Sequence, residues 1–221
     1  MAPNLPDFKE YRKRKQQKAD SDLRNLLQSY HKWLAVNTNL REKVRAKHLF
    51  SQKTGCLMLE LEEVPWKLYF EDWFAFDYIT IIGTRLFDMF VKEKAEQLSP
   101  AEKQLSGLIL TAALEPYQLI EKEEGALVAK SWLKKEKIEL TMGPAASASL
   151  HFSASHFLAR FIRCGFENRI ISPVIPLRLL HKDQAENWRK TVQGKEEEHQ
   201  RLRFLKENGV RLIAYADDKE Y

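Results

Sequence analysis

Three carboxylates lie inside an aromatic segment of the chain, where they could take part in acid–base chemistry. Glu71, Asp72 and Asp77 are interleaved with seven aromatic rings between residues 66 and 78. Burial among rings raises the pKa of a carboxyl group and prepares it to transfer a proton. Asp72 and Asp77 are five residues apart, so they do not share one face of a helix. A structural role is therefore the preferred interpretation, with proton transfer at Asp77 as the alternative.

A serine and a histidine also stand next to each other in the sequence. Ser153 and Ser155 precede His156, but neighbours in sequence need not place a hydroxyl on an imidazole, and the chain has no Gly-x-Ser-x-Gly segment. A hydrolase that uses Asp77 or His156 is the least favoured of three functions. His151 and His156 point to opposite faces of an extended segment, the chain has only two cysteines, and its eight glycines form no phosphate-binding loop. We therefore predict no metal and no cofactor.

Cations are concentrated at the start of the chain. Residues 1–53 contain 13 Lys and Arg against 5 Asp and Glu, whereas the whole chain has a net charge of +5. The tightest run lies between residues 9 and 18, and we predict nucleic-acid contacts for Arg12, Lys13, Arg14, Lys15 and Lys18. Such a run can neutralise phosphates in RNA, DNA or the ribosome. The alternative is a solubilising tail that binds nothing.

A second group of cations follows later in the chain. Arg160, Arg163 and Arg169 flank apolar residues, and Phe161 and Phe166 lie among them. Cations and rings on one surface are typical of proteins that bind nucleic acid strands. We therefore expect these arginines on the outer rim of a small barrel, and a merely solvated sheet face is the other interpretation.

The pattern of the chain predicts an α+β fold. We expect an N-terminal helical half packed on a C-terminal small curled sheet or barrel, followed by a long charged C-terminal helix. The predicted parts are a flexible basic arm over 1–19, a mostly helical part over 20–115 with one strand near 56–62, a β-rich part over 116–181, and over 182–221 a charged helix, a short strand and an acidic tail.

Two signals fix individual helices. The aromatic segment predicts a buried helix that ends near Gly83, with Thr84 as the cap of the next helix. Ser99-Pro100-Ala101-Glu102 is the pattern of a capping box with proline at the first helical position, and it predicts a helix that starts there.

The order of these features resembles a helical-plus-β module found upstream of the SEC-C zinc motif in bacterial proteins. The resemblance rests on Phe70, Trp73, Phe74, Phe76 and Asp77 in the aromatic segment, and then on Gly83-Thr84-x-Leu86, Leu98-Ser99-Pro100-Ala101-Glu102 and the strand at Tyr117. It covers about half of the chain, up to Pro176. The clustered cysteines of the zinc motif are missing here, so the resemblance implies an architecture and no zinc-dependent role.

Together these features favour a binding or adaptor protein that is not an enzyme. We expect it in the cytoplasm, because the sequence has neither the apolar region of a signal peptide nor an apolar run of about 20 residues that could span a membrane. The predicted partners are RNA, DNA or the ribosome, contacted through the basic residues. The alternative is a protein–protein interaction module, in which the aromatic segment and the charged C-terminal helix contact another protein.

Overall fold

Helices form the first half of the protein, and a curled sheet followed by two further helices forms the second half. The computed structural model describes residues 8–123, 125–144, 154–178 and 182–217. The helices are α1 (Phe8–Asn37), α2 (Leu40–Thr54), α3 (Trp66–Phe76), α4 (Leu86–Lys94), α5 (Pro100–Thr111), α6 (Lys182–Gln193) and α7 (Glu198–Asn208). The predicted α+β class is confirmed. None of the helices in these ranges is long and apolar enough to cross a membrane.

The basic residues at the start of the chain belong to a helix, so the prediction of a flexible arm is wrong for residues 8–19. Helix α1 begins at Phe8 and runs for 30 residues. Its first three turns consist largely of Lys, Arg and Gln, which are good helix formers, and no Gly or Pro interrupts them. Leu23, Leu26 and Tyr30 are buried further along and hold the helix against the core.

The segment predicted as a strand near 56–62 is a turn followed by a 3-10 helix at Glu60–Glu62. Its alternation of apolar residues does not correspond to one buried face: Leu61 is buried, whereas Leu57 and Leu59 are exposed. A strand needs a neighbour to accept its backbone hydrogen bonds, and this segment instead bonds to itself, with Glu60 N–H donating to Leu57 C=O at 3.0 Å.

Helix α3 ends at Phe76, earlier than predicted. The N–H groups of both Asp77 and Tyr78 donate to Trp73 C=O at 2.9 Å, which closes the helix. A turn follows in which Gly83 has a φ of 81°, and α4 begins after Arg85, not after a Thr84 cap. The capping box at Ser99 is confirmed, because the Ser99 hydroxyl accepts from Glu102 N–H and the Glu102 carboxylate accepts from Ser99 N–H.

Seven strands form one mixed sheet. They are β1 (Glu115–Glu123), β2 (Ala126–Ser131), β3 (Lys137–Met142), β4 (His156–Ala159), β5 (Phe161–Cys164), β6 (Glu167–Ile170) and β7 (Ile175–Leu177). Their order across the sheet is β5-β6-β3-β2-β1-β4-β7, and among these described strands only the β3–β6 pair is parallel. Strands β4 and β5 lie towards opposite ends of this order, yet Arg160 alone separates them in the chain. The sheet must therefore curl until its two ends meet at that residue.

The last part of the chain differs from the prediction in two ways. The long charged helix is two helices, α6 and α7, which are separated near Gly194, a residue of low helix propensity. The predicted short strand is a 3-10 helix at Gly209–Tyr215, in which Val210, Leu212 and Ile213 are buried. The acidic tail beyond Asp217 lies outside the described residues.

One large hydrophobic cluster joins the helical half to the sheet. Trp73 and Phe76 from α3 pack in one cluster with Leu158 and Ile162 from the sheet. Rings of α1, α3 and α4 meet within it; Tyr30 lies edge-on to Phe87 with their centroids 4.9 Å apart. Aromatic pairs of this kind add to the free energy gained by burying their area. The aromatic segment is therefore core, and its residues Phe70, Trp73, Phe74, Phe76 and Asp77 are buried.

Candidate functional site

Arg160 lies inside the protein, at the point where β4 passes into β5. Its backbone N–H donates to Ser172 Oγ at 2.8 Å, and its carbonyl accepts from Ile171 N–H at 2.9 Å. The side chain is 0% exposed. The prediction that Arg160 faces outward and contacts nucleic acid is therefore wrong. Burying an unpaired guanidinium would cost a large free energy. The Arg160 side chain points into the protein because carboxylates there compensate its charge.

Two of the acids from the aromatic segment surround this guanidinium. Arg160 Nη1 and Nη2 donate to the two oxygens of Asp77 at 3.1 and 2.7 Å. Nη2 also donates to Asp72 Oδ2 at 3.2 Å, and Nη1 donates to Ala112 C=O at 3.0 Å. The guanidinium carbon lies 5.2 Å from the centre of the Phe76 ring. The bidentate pair with Asp77 is the strongest form of this interaction.

Lys206 of α7 completes the buried charge cluster, which we define as Asp72, Asp77, Arg160 and Lys206. Its Nζ lies 3.9 Å from Asp77 Oδ1, and its side chain is 6% exposed. Burial lowers the pKa of Lys206 to about 8, although the charge of Asp77 opposes this effect. Burial likewise raises the pKa of Asp72 to about 6 against the influence of Arg160. With two cations and two carboxylates, the fully ionised cluster is electrically neutral.

This geometry favours a structural role for Asp77. Both of its carboxylate oxygens accept from Arg160, so proton transfer to a substrate would require these bonds to break. The cavity beside it, lined by Lys206 and Tyr78 among others, has a volume of only about 200 Å³. The ion pairs of the cluster connect α3, α7 and the β4–β5 junction, so the cluster holds these three elements together.

His156, unlike Asp77, lies at the surface of the protein, on the sheet. Its Nδ1 lies 2.9 Å from Ser155 Oγ, and its ring meets that of Trp132 edge-on with centroids 5.4 Å apart. Partial burial lowers the pKa of the imidazole. In the described part of the chain no carboxylate orients this ring, so the third member of a nucleophilic triad is missing. His151 and Ser153 lie outside the described residues. Across those that are described, no three His, Cys, Asp or Glu residues are grouped to hold a metal ion.

The cations of α1 share an exposed face with aromatic rings. Arg12, Lys13, Arg14, Lys15 and Lys18 are all exposed, as the sequence predicted. Phe8 and Tyr11 are exposed among them, and Lys15 Nζ lies 5.4 Å from the centre of the Tyr11 ring. Exposing an aromatic ring to water is unfavourable, so exposed rings beside cations indicate a surface that binds a partner. Residues 8–18 of α1 and the turn Gly165–Phe166 are called the basic surface below.

The turn between β5 and β6 is held against this helix by one buried side chain. Gln16 Nε2 donates to Cys164 C=O at 3.0 Å, and Gln16 Oε1 accepts from Phe166 N–H at 2.8 Å. Gly165 has a φ of 62°, and a Cβ there would lie 2.7 Å from Gln16 Oε1. The contact places Arg12 over the Phe166 ring, with its guanidinium carbon 5.1 Å from the ring centre.

The remaining predicted arginines differ in their freedom to bind phosphate. Arg163 is exposed on β5. Arg169 is engaged within the protein: its Nε and Nη2 donate to the two oxygens of Asp20 at 2.9 and 2.6 Å, and Nη1 lies 3.0 Å from Glu167. These acids compensate the charge of Arg169, so it anchors α1 to β6 and adds little to an electropositive surface.

Sequence reasoning missed Gln16 and Lys206. For Gln16 a signal exists, since it lies seven residues before Leu23 and three before Ala19 and so extends the buried stripe of α1. For Lys206 there is none, because a lysine in a charged segment is ordinarily solvated.

Comparisons with protein-family models, with curated proteins and with solved structures found no match for this chain. The resemblance to the SEC-C-associated module thus stays a prediction.

Proposed function

We propose that the protein is a nucleic-acid-binding protein that holds single-stranded RNA or DNA on the basic surface. The observation that carries this proposal is the exposure of Phe8, Tyr11 and Phe166 among the cations of α1. Lysines and arginines alone would explain only attraction to phosphate, whereas exposed rings offer faces on which unpaired bases stack. The chemistry required is binding and not bond cleavage, in keeping with a non-enzymatic adaptor in the cytoplasm.

Charge at this surface supports the proposal. Residues 8–19 contain six Lys and Arg and one acid, Glu10. In α1 the stretch from Phe8 to Lys18 is about 16 Å long at 1.5 Å per residue, enough to follow a few nucleotides. The groove between α1 and the Gly165–Phe166 turn has a volume of about 370 Å³ and is lined by Lys9, Arg12 and Lys13. Bases that stack on the rings of α1 and of the turn would hold the nucleic acid strand in this groove.

The experiment measures fluorescence anisotropy of labelled 12-nucleotide RNA and DNA strands, at low and at moderate salt. Wild-type affinity should fall steeply with salt, because each phosphate contact releases counterions. Replacement by Gln of Arg12, Lys13, Arg14, Lys15 and Lys18 should weaken binding by at least about tenfold and flatten the salt slope. Tyr11→Ala with Phe166→Ala should weaken binding and leave the salt slope unchanged, since stacking releases no counterions.

A matched control removes the same charge elsewhere. The control replaces by Gln five exposed lysines on other elements: Lys92, Lys103, Lys134, Lys137 and Lys190. If this variant loses as much affinity as the α1 variant, binding depends on net charge and the proposed surface is wrong. If the wild type binds no strand at low salt, the proposed function itself is overturned.

A second candidate is a protein–protein interaction module. The observation that favours it is the exposure of large apolar side chains before and after α3: Leu57, Leu59 and Val64 precede the helix, and Ile81 and Ile82 follow it. Large apolar side chains left exposed are candidates for contacts with another protein. Binding of a protein through such residues would change little between low and moderate salt, which distinguishes it from phosphate binding.

A further inference from the structure

An apolar cavity lies between α1, α3 and the loop that follows β6. Its volume is about 480 Å³, within the range of small-molecule sites. Its walls are mostly apolar, and Leu34, Leu68, Phe74 and Ile171 contribute to them. The basic surface occupies an earlier part of α1, so the cavity and the nucleic-acid proposal are independent of each other.

One carboxylate of the buried charge cluster reaches this cavity. Asp72 lines the wall, and its side chain is 8% exposed. Arg160 donates to its Oδ2 at 3.2 Å, while no donor from the described residues is bonded to its Oδ1. Asp77 is not part of the cavity lining, and both of its oxygens accept from Arg160. Asp72 Oδ1 is therefore a negatively charged hydrogen-bond acceptor in the wall of a mostly apolar cavity.

The charges around the cavity favour a cationic ligand over an anionic one. Glu71, adjacent to Asp72 on α3, also lines it, and Lys43 is its one lysine. Partial burial lowers the pKa of His31, which disfavours a positive charge on its ring. Arg160 is wholly buried and its Nη groups are already bonded to protein oxygens. A carboxylate ligand would meet two negative groups at close range, whereas an ammonium would supply the donor that Asp72 Oδ1 lacks.

We propose that this cavity binds a small apolar molecule carrying one protonated amine, with the amine at Asp72 and the apolar body against Leu34, Leu68 and Phe74. General attraction does not explain such binding, since the chain has a net charge of +5 and repels cations on average. The apolar walls supply most of the affinity, and the carboxylate supplies the selectivity.

The experiment compares three probes of nearly equal shape by calorimetric titration: 2-phenylethylamine, 2-phenylethanol and 3-phenylpropionate. We expect the amine to bind at least about tenfold more tightly than the alcohol, and the carboxylate to bind most weakly. Asp72→Asn should remove the preference for the amine and leave the affinity for the alcohol nearly unchanged. Asn keeps an oxygen that can accept from Arg160, so the fold should be retained.

A second variant tests the location without touching the charge cluster. Ala35 is exposed on α1 and lines the cavity, and Ala35→Trp should fill the entrance and weaken all three probes. The proposal is overturned if the amine shows no binding at about 5 mM, a concentration at which even a weak site is occupied. It is also overturned if alcohol or carboxylate binds as tightly as the amine, or if Ala35→Trp leaves binding of the amine intact.

Discussion

Asp77 and Arg160 face each other in the core through two parallel hydrogen bonds of 2.7 and 3.1 Å, although 83 positions separate them in the chain. The pair connects the end of α3 to the junction of β4 and β5, and both side chains are shielded from water. Because the desolvation of each charge is compensated by the other, neither residue can be removed alone without leaving a buried charge unpaired.

The first prediction concerns this pair. Arg160→Met should lower the free energy of unfolding by about 3–5 kcal/mol, because Asp72 and Asp77 would lose the guanidinium that bonds both of them and retain only Lys206 as a cation nearby. The measurement is chemical denaturation at pH 7. Arg163→Met, which changes an exposed arginine on β5, is the control and should stay within about 0.5 kcal/mol of the wild type. Equal effects of the two substitutions would show that the cluster does not hold the fold together.

The second prediction concerns the contact between α1 and the β5–β6 turn. Gly165→Ala should destabilise the protein for two reasons, a φ of 62° and a new Cβ 2.7 Å from Gln16 Oε1. Gly125→Ala is the matched control, because Gly125 has a φ of 79° but nothing within 4 Å of the added Cβ. Both should lose about 1 kcal/mol to the backbone, and only Gly165→Ala should also increase amide exchange around Gln16. Equal exchange in the two variants would contradict the docking contact.

The third prediction follows from the lowered pKa of Lys206. In the folded protein this pKa is about 8, against an ordinary value of 10.5, so the unfolded chain retains the proton at pH values where the folded protein releases it. Stability therefore rises with pH between 8 and 10.5, and below pH 8 the buried ammonium has its full cost. From pH 7 to pH 10 the wild type should gain about 2–3 kcal/mol relative to Lys206→Met, at 1.4 kcal/mol per pKa unit. Urea denaturation of both proteins at the two pH values measures this difference.

The control for that experiment is Lys103→Met, which replaces an exposed lysine on α5. Its difference from the wild type should be the same at pH 7 and pH 10. A difference between wild type and Lys206→Met that does not change with pH would mean that the Lys206 amine titrates as in water.

The fourth prediction tests the capping box of α5. Ser99→Ala removes the hydroxyl that accepts from Glu102 N–H at 3.3 Å, and it should cost about 0.5–2 kcal/mol. Ser99→Asp should cost much less, since aspartate is as good a cap as serine and its charge interacts favourably with the helix N-terminus. Thermal melts of the three proteins provide the comparison, and equal losses for Ala and Asp would exclude a capping role.

The parts of the fold that depend on local sequence were predictable. The α+β class followed from the change of period after Pro116, and the start of α5 followed from four consecutive residues. The end of α3 was not predictable in this way. No Gly or Pro stands at residue 77; the helix ends there because Asp77 turns towards a guanidinium that the sheet supplies, which is a tertiary effect.

In the candidate site, too, local features were predictable from the sequence and tertiary contacts were not. Exposure of the α1 cations was predictable, because no large aliphatic residue stands among them to dock that face. The burial of Arg160 was not, since its sequence neighbours are those of any half-buried strand. Only the curl of the sheet brings residue 160 to the carboxylates, and single-sequence periodicity contains no information about which distant elements meet.

The charge cluster also has an evolutionary consequence. A chain that lost Asp77 would gain little by keeping Arg160, and one that lost Arg160 would be better served by uncharged residues at positions 72 and 77. Substitutions at these three positions should therefore occur together in descendants of a common ancestor, however far their surfaces diverge. The helical half and the sheet are thus constrained to be inherited as one unit, and exchange of either half with an unrelated chain would separate charges that must remain together.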